Sequence, residues 1–107
     1  MSKFDVKSNL QEMYADSYFP DFLVDKIYFV IEDVHQYLEL EKRGINDVQA
    51  KLDDMTDTIN DIAEEFYEND SDIETAAREC IALTVENLLL HFNIEIDTEE
   101  AIRNRDW

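Results

Sequence analysis

Glycine, proline and cysteine each occur once in this chain of 107 residues, and histidine twice. A single glycine excludes the phosphate-cradling P-loop, the dinucleotide-binding fingerprint and the nucleophile elbow of serine hydrolases, each of which needs two or more. Turn chemistry is scarce, and apolar residues recur at intervals of three and four rather than two, so the spacing predicts an all-α protein. The lone Cys80 can form neither an internal disulfide nor a multi-thiolate zinc site. Beside Ala76, Ala77 and Ile81 it reads as a small core side chain. Long apolar runs are missing as well: the longest, Ile27 to Ile31 and Leu88 to Leu90, fall far below the roughly 20 residues that cross a bilayer. The N-terminal segment MSKFDVKSNLQEMYADS lacks the apolar stretch of a secretory leader and is too acidic for a mitochondrial presequence, so a cytoplasmic protein is expected.

Bases are the other scarcity. Nine Lys and Arg stand against 27 Asp and Glu, a net charge of −18. That balance argues against nucleic acid as a ligand, because phosphate neutralisation needs a basic footprint, and an anionic membrane is disfavoured for the same reason. Disorder is not the consequence. Hydrophobic residues make up 45% of the chain, with six Phe, five Tyr and one Trp, and this is material for a core that disordered chains lack. The length suits one domain, residues 1–107.

The spacing predicts a short helix over residues 7–15, carried by Leu10, Met13 and Tyr14, ending before an aromatic turn at Tyr18 to Pro20. Pro20 and Asp21 then open a second helix running to about Arg43, with Gly44 as its C-terminal stop. Leu23, Ile27, Val30, Ile31, Val34 and Leu38 form its apolar face. Phe22, Tyr28, Phe29 and Tyr37 widen that face until the first half of the helix is apolar nearly all round, as a central bundle helix is. A third helix is marked by Ile45, Val48, Leu52, Met55, Ile59, Ile62 and Phe66 in unbroken steps of three and four, with Asn46 as N-cap. Ser71, Asp72, Ile73 and Glu74 read as a capping box opening a fourth helix. Its inward residues are Ile73, Ala77, Cys80, Ile81, Thr84, Leu88 and Phe92. Asp97 to Glu100 starts a short terminal helix. Three long helices with shorter terminal ones make an antiparallel helical bundle the most economical arrangement.

The stretch Tyr14 to Lys26, YADSYFPDFLVDK, resembles the opening signature of an uncharacterised bacterial family of short acidic helical proteins, a domain of unknown function. Glu64 to Ile81, EEFYENDSDIETAARECI, and the closing Arg105, Asp106 and Trp107 are similar to two further blocks of that family. The resemblance implies a small helical bacterial protein and carries over no catalytic or ligand residues.

The most pronounced chemical pattern lies on the third helix. Opposite its apolar stripe fall Asp47, Ala50, Asp54, Asp57, Asp61, Glu64 and Glu68, a face that is acidic at every position but Ala50. Like charges three or four apart cost roughly 0.2–0.5 kcal/mol per pair, so 54/57, 57/61, 61/64 and 64/68 together cost about 1–2 kcal/mol in an isolated helix. A mixed-sign face would be equally soluble without that cost. From Asn46 to Thr75 there are eleven acids and one base, Lys51. A basic protein would be steered onto such a surface and would relieve its self-repulsion. The alternative is that these acids are simply a solvated face. Tyr67, next to the last core position, projects to the flank of the acids, among which Glu65 is also counted. There it serves either as an amphipathic anchor for a partner or as a ring stacked on Arg78 or Trp107.

Other constellations point less far. Glu32 and His35 have the E-x-x-H spacing that di-iron bundles use in duplicate, but His91 has Leu88 where the second acid belongs. His35 is expected to flank the apolar stripe near Tyr28 and Ile31, its ring edge at solvent. The clustered acids Asp53, Asp54 and Asp57 lack the glycine-centred loop of calcium sites, and acids side by side on one helix do not face each other across a cleft. Neither metal nor cofactor is expected, and no enzyme. Of the aromatics, Phe19, Phe22 and Phe29 are assigned to the core, and Tyr14 and Tyr18 to exposed positions.

The functional expectation is an acidic inhibitor that binds a basic protein, most concretely an immunity protein or antitoxin occupying the cationic cleft of a nuclease-type toxin. The binding residues would be Asp47, Asp54, Asp57, Asp61, Glu64, Glu65, Tyr67 and Glu68. The alternative is a regulatory or adaptor module that binds another protein through its aromatic N-terminal region, at Tyr14, Tyr18 and Asp21. A weaker third reading is a metal-dependent enzyme using Glu32 and His35.

Overall fold

Asp5 begins the first ordered turn by accepting a hydrogen bond at Oδ1 from the Ser8 amide, 3.1 Å away. A computed structural model describes residues 4–107 and is all-helical, with no strand among the described residues. The helices are α1 (Val6–Asn9), α2 (Gln11–Ala15), α3 (Asp21–Leu40), α4 (Ile45–Glu68), α5 (Thr75–His91) and α6 (Thr98–Ala101). The expected helix over 7–15 is thus two short ones meeting at Leu10, which is fully buried. The break turns Asn9 toward α5. Its carbonyl accepts from Thr84 Oγ1 and Cys80 Sγ, and its side-chain oxygen accepts from Asn87 Nδ2 at 2.8 Å. A continuous helix would have kept that carbonyl for itself.

Pro20, with φ near −58°, precedes α3 as expected. The far end of α3 differs from expectation. It stops at Leu40, three residues early, and Glu41 is fully extended, while Arg43 folds back so that its guanidinium lies 4.0 Å from the centre of the Tyr37 ring. Gly44 closes nothing; it is the N-cap of α4, with φ −71° that any residue adopts, and Asn46 sits inside the helix. The capping box at Ser71 is likewise absent, because residues 71–74 lie outside any helix and α5 starts at Thr75 with the extended Glu74 as N-cap. Ser71 is buried, and its hydroxyl donates instead to the Tyr18 carbonyl at 2.8 Å, tying the turn before α3 to the turn after α4.

With its one glycine engaged elsewhere, the chain ends its two polar-capped helices with other residues. Asp70 (φ 59°) and Asn93 (φ 56°) are its two non-glycine residues of positive φ among those described. Each is followed by an amide that reaches back to the helix, Ser71 to the Phe66 carbonyl and Ile94 to that of Leu89, both 2.9 Å. This is the Schellman closure, made with the two residue types that tolerate the left-handed region best after glycine.

One hydrophobic cluster draws on all six helices, and the radius of gyration of 13.3 Å matches the roughly 13 Å of a compact chain of this length. The stripe of α4 is buried from Val48 to Phe66, with Thr56 added; Ile45, assigned to it, is exposed. On α5 Ala77, Cys80, Ile81, Thr84 and Leu88 are buried as expected, joined by Val85 and Leu89, while Phe92 is half-buried. The helix α3 is not apolar all round in its setting. Phe22 and Phe29, assigned to the core, are 55% and 65% exposed. No helix among the described residues is long and apolar enough to cross a membrane.

Candidate protein-binding face

The outer side of α4 is a ridge of carboxylates. Asp47, Asp54, Asp57, Asp61, Glu64 and Glu68 are all exposed, and no ion pair with a described cation engages any of them. The bases are there, but on the flanks. Lys51, the one base on this helix, points across to Asp33 of α3 at 2.6 Å instead of to its own ridge. Lys26 of α3 pairs with Glu65, which is therefore a half-buried flank residue and not part of the free face. Arg103 forms a two-pronged contact with Asp53, Nε to Oδ1 at 3.1 Å and Nη2 to Oδ2 at 2.7 Å, and also reaches Glu100, while Arg105 reaches Glu99. The Arg103 guanidinium holds the Asp53 carboxyl below the usual carboxylate range; burial opposes this, and Gln49 Nε2 adds a further hydrogen bond in its favour.

The segment after α6 is a strap along one flank of α4. Asn60 clasps it from both directions, Nδ2 donating to the Asn104 carbonyl at 2.9 Å and Oδ1 accepting from the Asp106 amide at 3.0 Å. Asn104 Nδ2 lies 3.3 Å from Asp57 Oδ1, a neutral contact that leaves the charge of Asp57 in place. Tyr67 is 77% exposed and so stacks on neither Arg78 nor Trp107; Trp107 packs against the core instead.

Residues 3–107 match the family model described as a family of unknown function (DUF5713). The chain belongs to that family. No curated protein and no solved structure matches it.

On the opposite flank from the strap lies a groove between α3 and α4 of about 330 Å³, lined by Phe29, Val30, Val34 and Met55, with Asp33, Lys51, Asp54 and Thr58 at its rim. Sequence reasoning missed this feature, because it assigned Phe29 to the core. A ring is apolar wherever it is, and only the placement of α4 shows that positions 22 and 29 lie outside the contact.

The remaining candidates lie apart from the ridge. His35 is 3% exposed, not edged toward solvent as expected, because the ends of the chain and of α5 cover it with Phe4, His91 and Phe92. Its Nδ1 is 3.0 Å from Glu32 Oε1, and its Nε2, 3.5 Å from Glu39, makes no hydrogen bond. Among the described residues no three His, Cys, Asp or Glu side chains are arranged to hold a metal. Cys80 is buried, which pushes its thiol above the usual range.

Of the aromatic N-terminal residues, Tyr18 is exposed but Tyr14 is half-buried, its hydroxyl donating to Asp25 Oδ1. Burial first, then this hydrogen bond and the charge of Asp25, raise the Tyr14 phenol well above its ordinary value. Because the folded value lies above the unfolded one, this contribution to stability is complete below the unfolded pKa of about 10 and is lost as pH rises through the folded value. Spectrophotometric titration should therefore show Tyr14 resisting ionisation above pH ~10 until the chain unfolds, and Tyr14→Phe should remove that lag. A titration identical in both proteins would contradict the contact.

Proposed function

We propose that this chain is a binding protein whose acidic ridge recognises a basic protein, most concretely as a bacterial, cytoplasmic immunity protein or antitoxin that covers the cationic cleft of a nuclease-type toxin. The observation that carries this reading is the distribution of the bases: Lys26, Lys51, Arg103 and Arg105 are engaged by flank acids, so Asp47, Asp54, Asp57, Asp61, Glu64 and Glu68 keep their charge in water. The self-repulsion of that ridge is relieved on meeting a cationic surface. Tyr67, exposed at the end of the ridge, supplies an amphipathic anchor. The framework is an antiparallel bundle of three long helices. In support of it, Lys26 meets Glu65 while Asp33, further along α3, meets the earlier Lys51. Catalysis is not required of such an inhibitor.

The test is co-purification of the tagged chain with basic proteins from its native cytoplasm at low and high salt, followed by nuclease assays of what is retained. A basic nuclease, released at high salt and inhibited at equimolar chain, is the expected result. Retention of no basic protein, or a bound nuclease that stays fully active, would overturn the reading.

A second reading, an adaptor binding through the aromatic N-terminal region, is favoured by the exposure of Tyr18 and Phe22. It requires that Tyr18→Ala and Phe22→Ala abolish partner binding while neutralised ridge acids leave it unchanged.

A further inference from the structure

Phe22 and Phe29 are seven residues apart on α3, two turns and about 10.5 Å along its axis, so they share one face, and both are more than half exposed. Lys26, between them, is drawn sideways to Glu65, and Asp33, one turn beyond Phe29, is drawn to Lys51. The two pairs bridge α3 and α4 before and after Phe29, and Phe22 lies beyond the first of them, outside the groove. Between them opens the groove floored by Val30, Val34 and Met55, with Phe29 as one wall and the ridge residue Asp54 on the other side. An apolar trough thus runs beside carboxylates that have no cation partner among the described residues.

We propose that this α3–α4 groove takes an amphipathic helix bearing lysine or arginine along one edge. The inference rests on the reading of the ridge as a surface for a basic protein and names the element that the surface holds. Both halves of the argument come from the groove's own chemistry. Its floor and its Phe29 wall, with exposed Phe22 two turns earlier on the same face of α3, call for apolar side chains at i, i+3 or i+4, and i+7, the spacing with which a helix covers such a strip. Its α4 rim, continued by Asp54, Asp57 and Asp61, calls for cations on the edge of that helix facing the ridge. The bases beside the groove do not supply them, since Lys51 at its rim and Lys26 next to it already close pairs with Asp33 and Glu65. An extended basic segment would satisfy the ridge but leave the phenylalanines in water, and an uncharged amphipathic helix would do the reverse.

The probe is a synthetic peptide of about 15 residues with leucines at helical spacing and lysines elsewhere, set beside a scrambled isomer of identical composition and charge. Fluorescence anisotropy with the full chain should show the amphipathic isomer binding roughly tenfold or more tightly than the scrambled one, with helix gained on binding by circular dichroism. Phe22→Ala with Phe29→Ala, which alters no charge, should erase most of that difference and leave the weak, salt-sensitive attraction common to both peptides. Phe29→Ala alone serves if the double variant melts early. Equal binding of the two isomers, or a preference that survives loss of both phenylalanines, overturns the groove while leaving the ridge as a charge-reading surface. Absence of any binding by the amphipathic peptide also overturns the groove, and the underlying reading is then judged separately by inhibition of the co-purified nuclease.

Discussion

Phe66→Ala is expected to lower the stability of this protein by about 3–5 kcal/mol, a large share of the roughly 5–15 kcal/mol that a domain of this size commands. Phe66 is fully buried, the last core residue of α4, and stands edge-on to Phe19 with ring centres 6.3 Å apart. Its carbonyl receives the Ser71 amide that closes the helix, and Ser71 in turn holds the Tyr18 carbonyl. Truncation therefore empties a pocket where the turn before α3 and the turn after α4 converge, and tightly linked segments have little freedom to collapse into the void. Urea unfolding followed by circular dichroism measures the effect, and at about 4–8 °C per kcal/mol the melting temperature should fall by more than ~12 °C. A loss below ~1 kcal/mol would mean that the Phe19–Phe66 contact is not a keystone of the fold.

Neutralising the ridge should act in the opposite direction on stability. The combined Asp54→Asn, Asp57→Asn, Asp61→Asn and Glu64→Gln variant is expected to be more stable by about 1–2 kcal/mol at low ionic strength, since four like-charge pairs at helical spacing are relieved. The side chains involved are exposed, and Asn at position 57 keeps an acceptor for Asn104 Nδ2. The gain should shrink as salt is added, because exposed charges are screened within about 8 Å at physiological ionic strength. The same variant should associate with a basic partner more than ~10-fold more slowly at low salt, as steering is lost, with the difference closing at high salt. Stopped-flow mixing reads the rate and thermal melting the stability. Unfolding of the variant would show the ridge to be part of an internal network; unchanged association would leave it as a solvated surface.

A residue that stabilises its partner complex while destabilising its own helix is most easily recognised when both effects are measured on one variant. That is the value of the ridge experiment. It also separates the two surfaces from each other, since Phe22 and Phe29 carry no charge and the ridge acids carry little apolar area.

The all-helical class, the α4 stripe and the outward ridge opposite it were legible in the chain. Each depends on periodicity within one segment, and a helix turns 100° per residue whatever surrounds it. The same logic located α3, α5 and the short terminal α6, and the scarcity of bases was countable without any structure. What the chain alone did not determine is everything that depends on a second element. Whether Phe29 is core or surface depends on where α4 lies, and whether Glu65 is free depends on Lys26, 39 residues away. Ser71 abandons its capping box because its own hydroxyl is buried and finds its acceptor in the Tyr18 carbonyl, 53 residues earlier. The placement of Lys26, Lys51, Arg103 and Arg105 on the flanks, which leaves the ridge charged, is likewise a tertiary fact. Local order follows from the geometry of one helix; charge compensation and burial are properties of pairs, and only the packed chain decides which pairs exist.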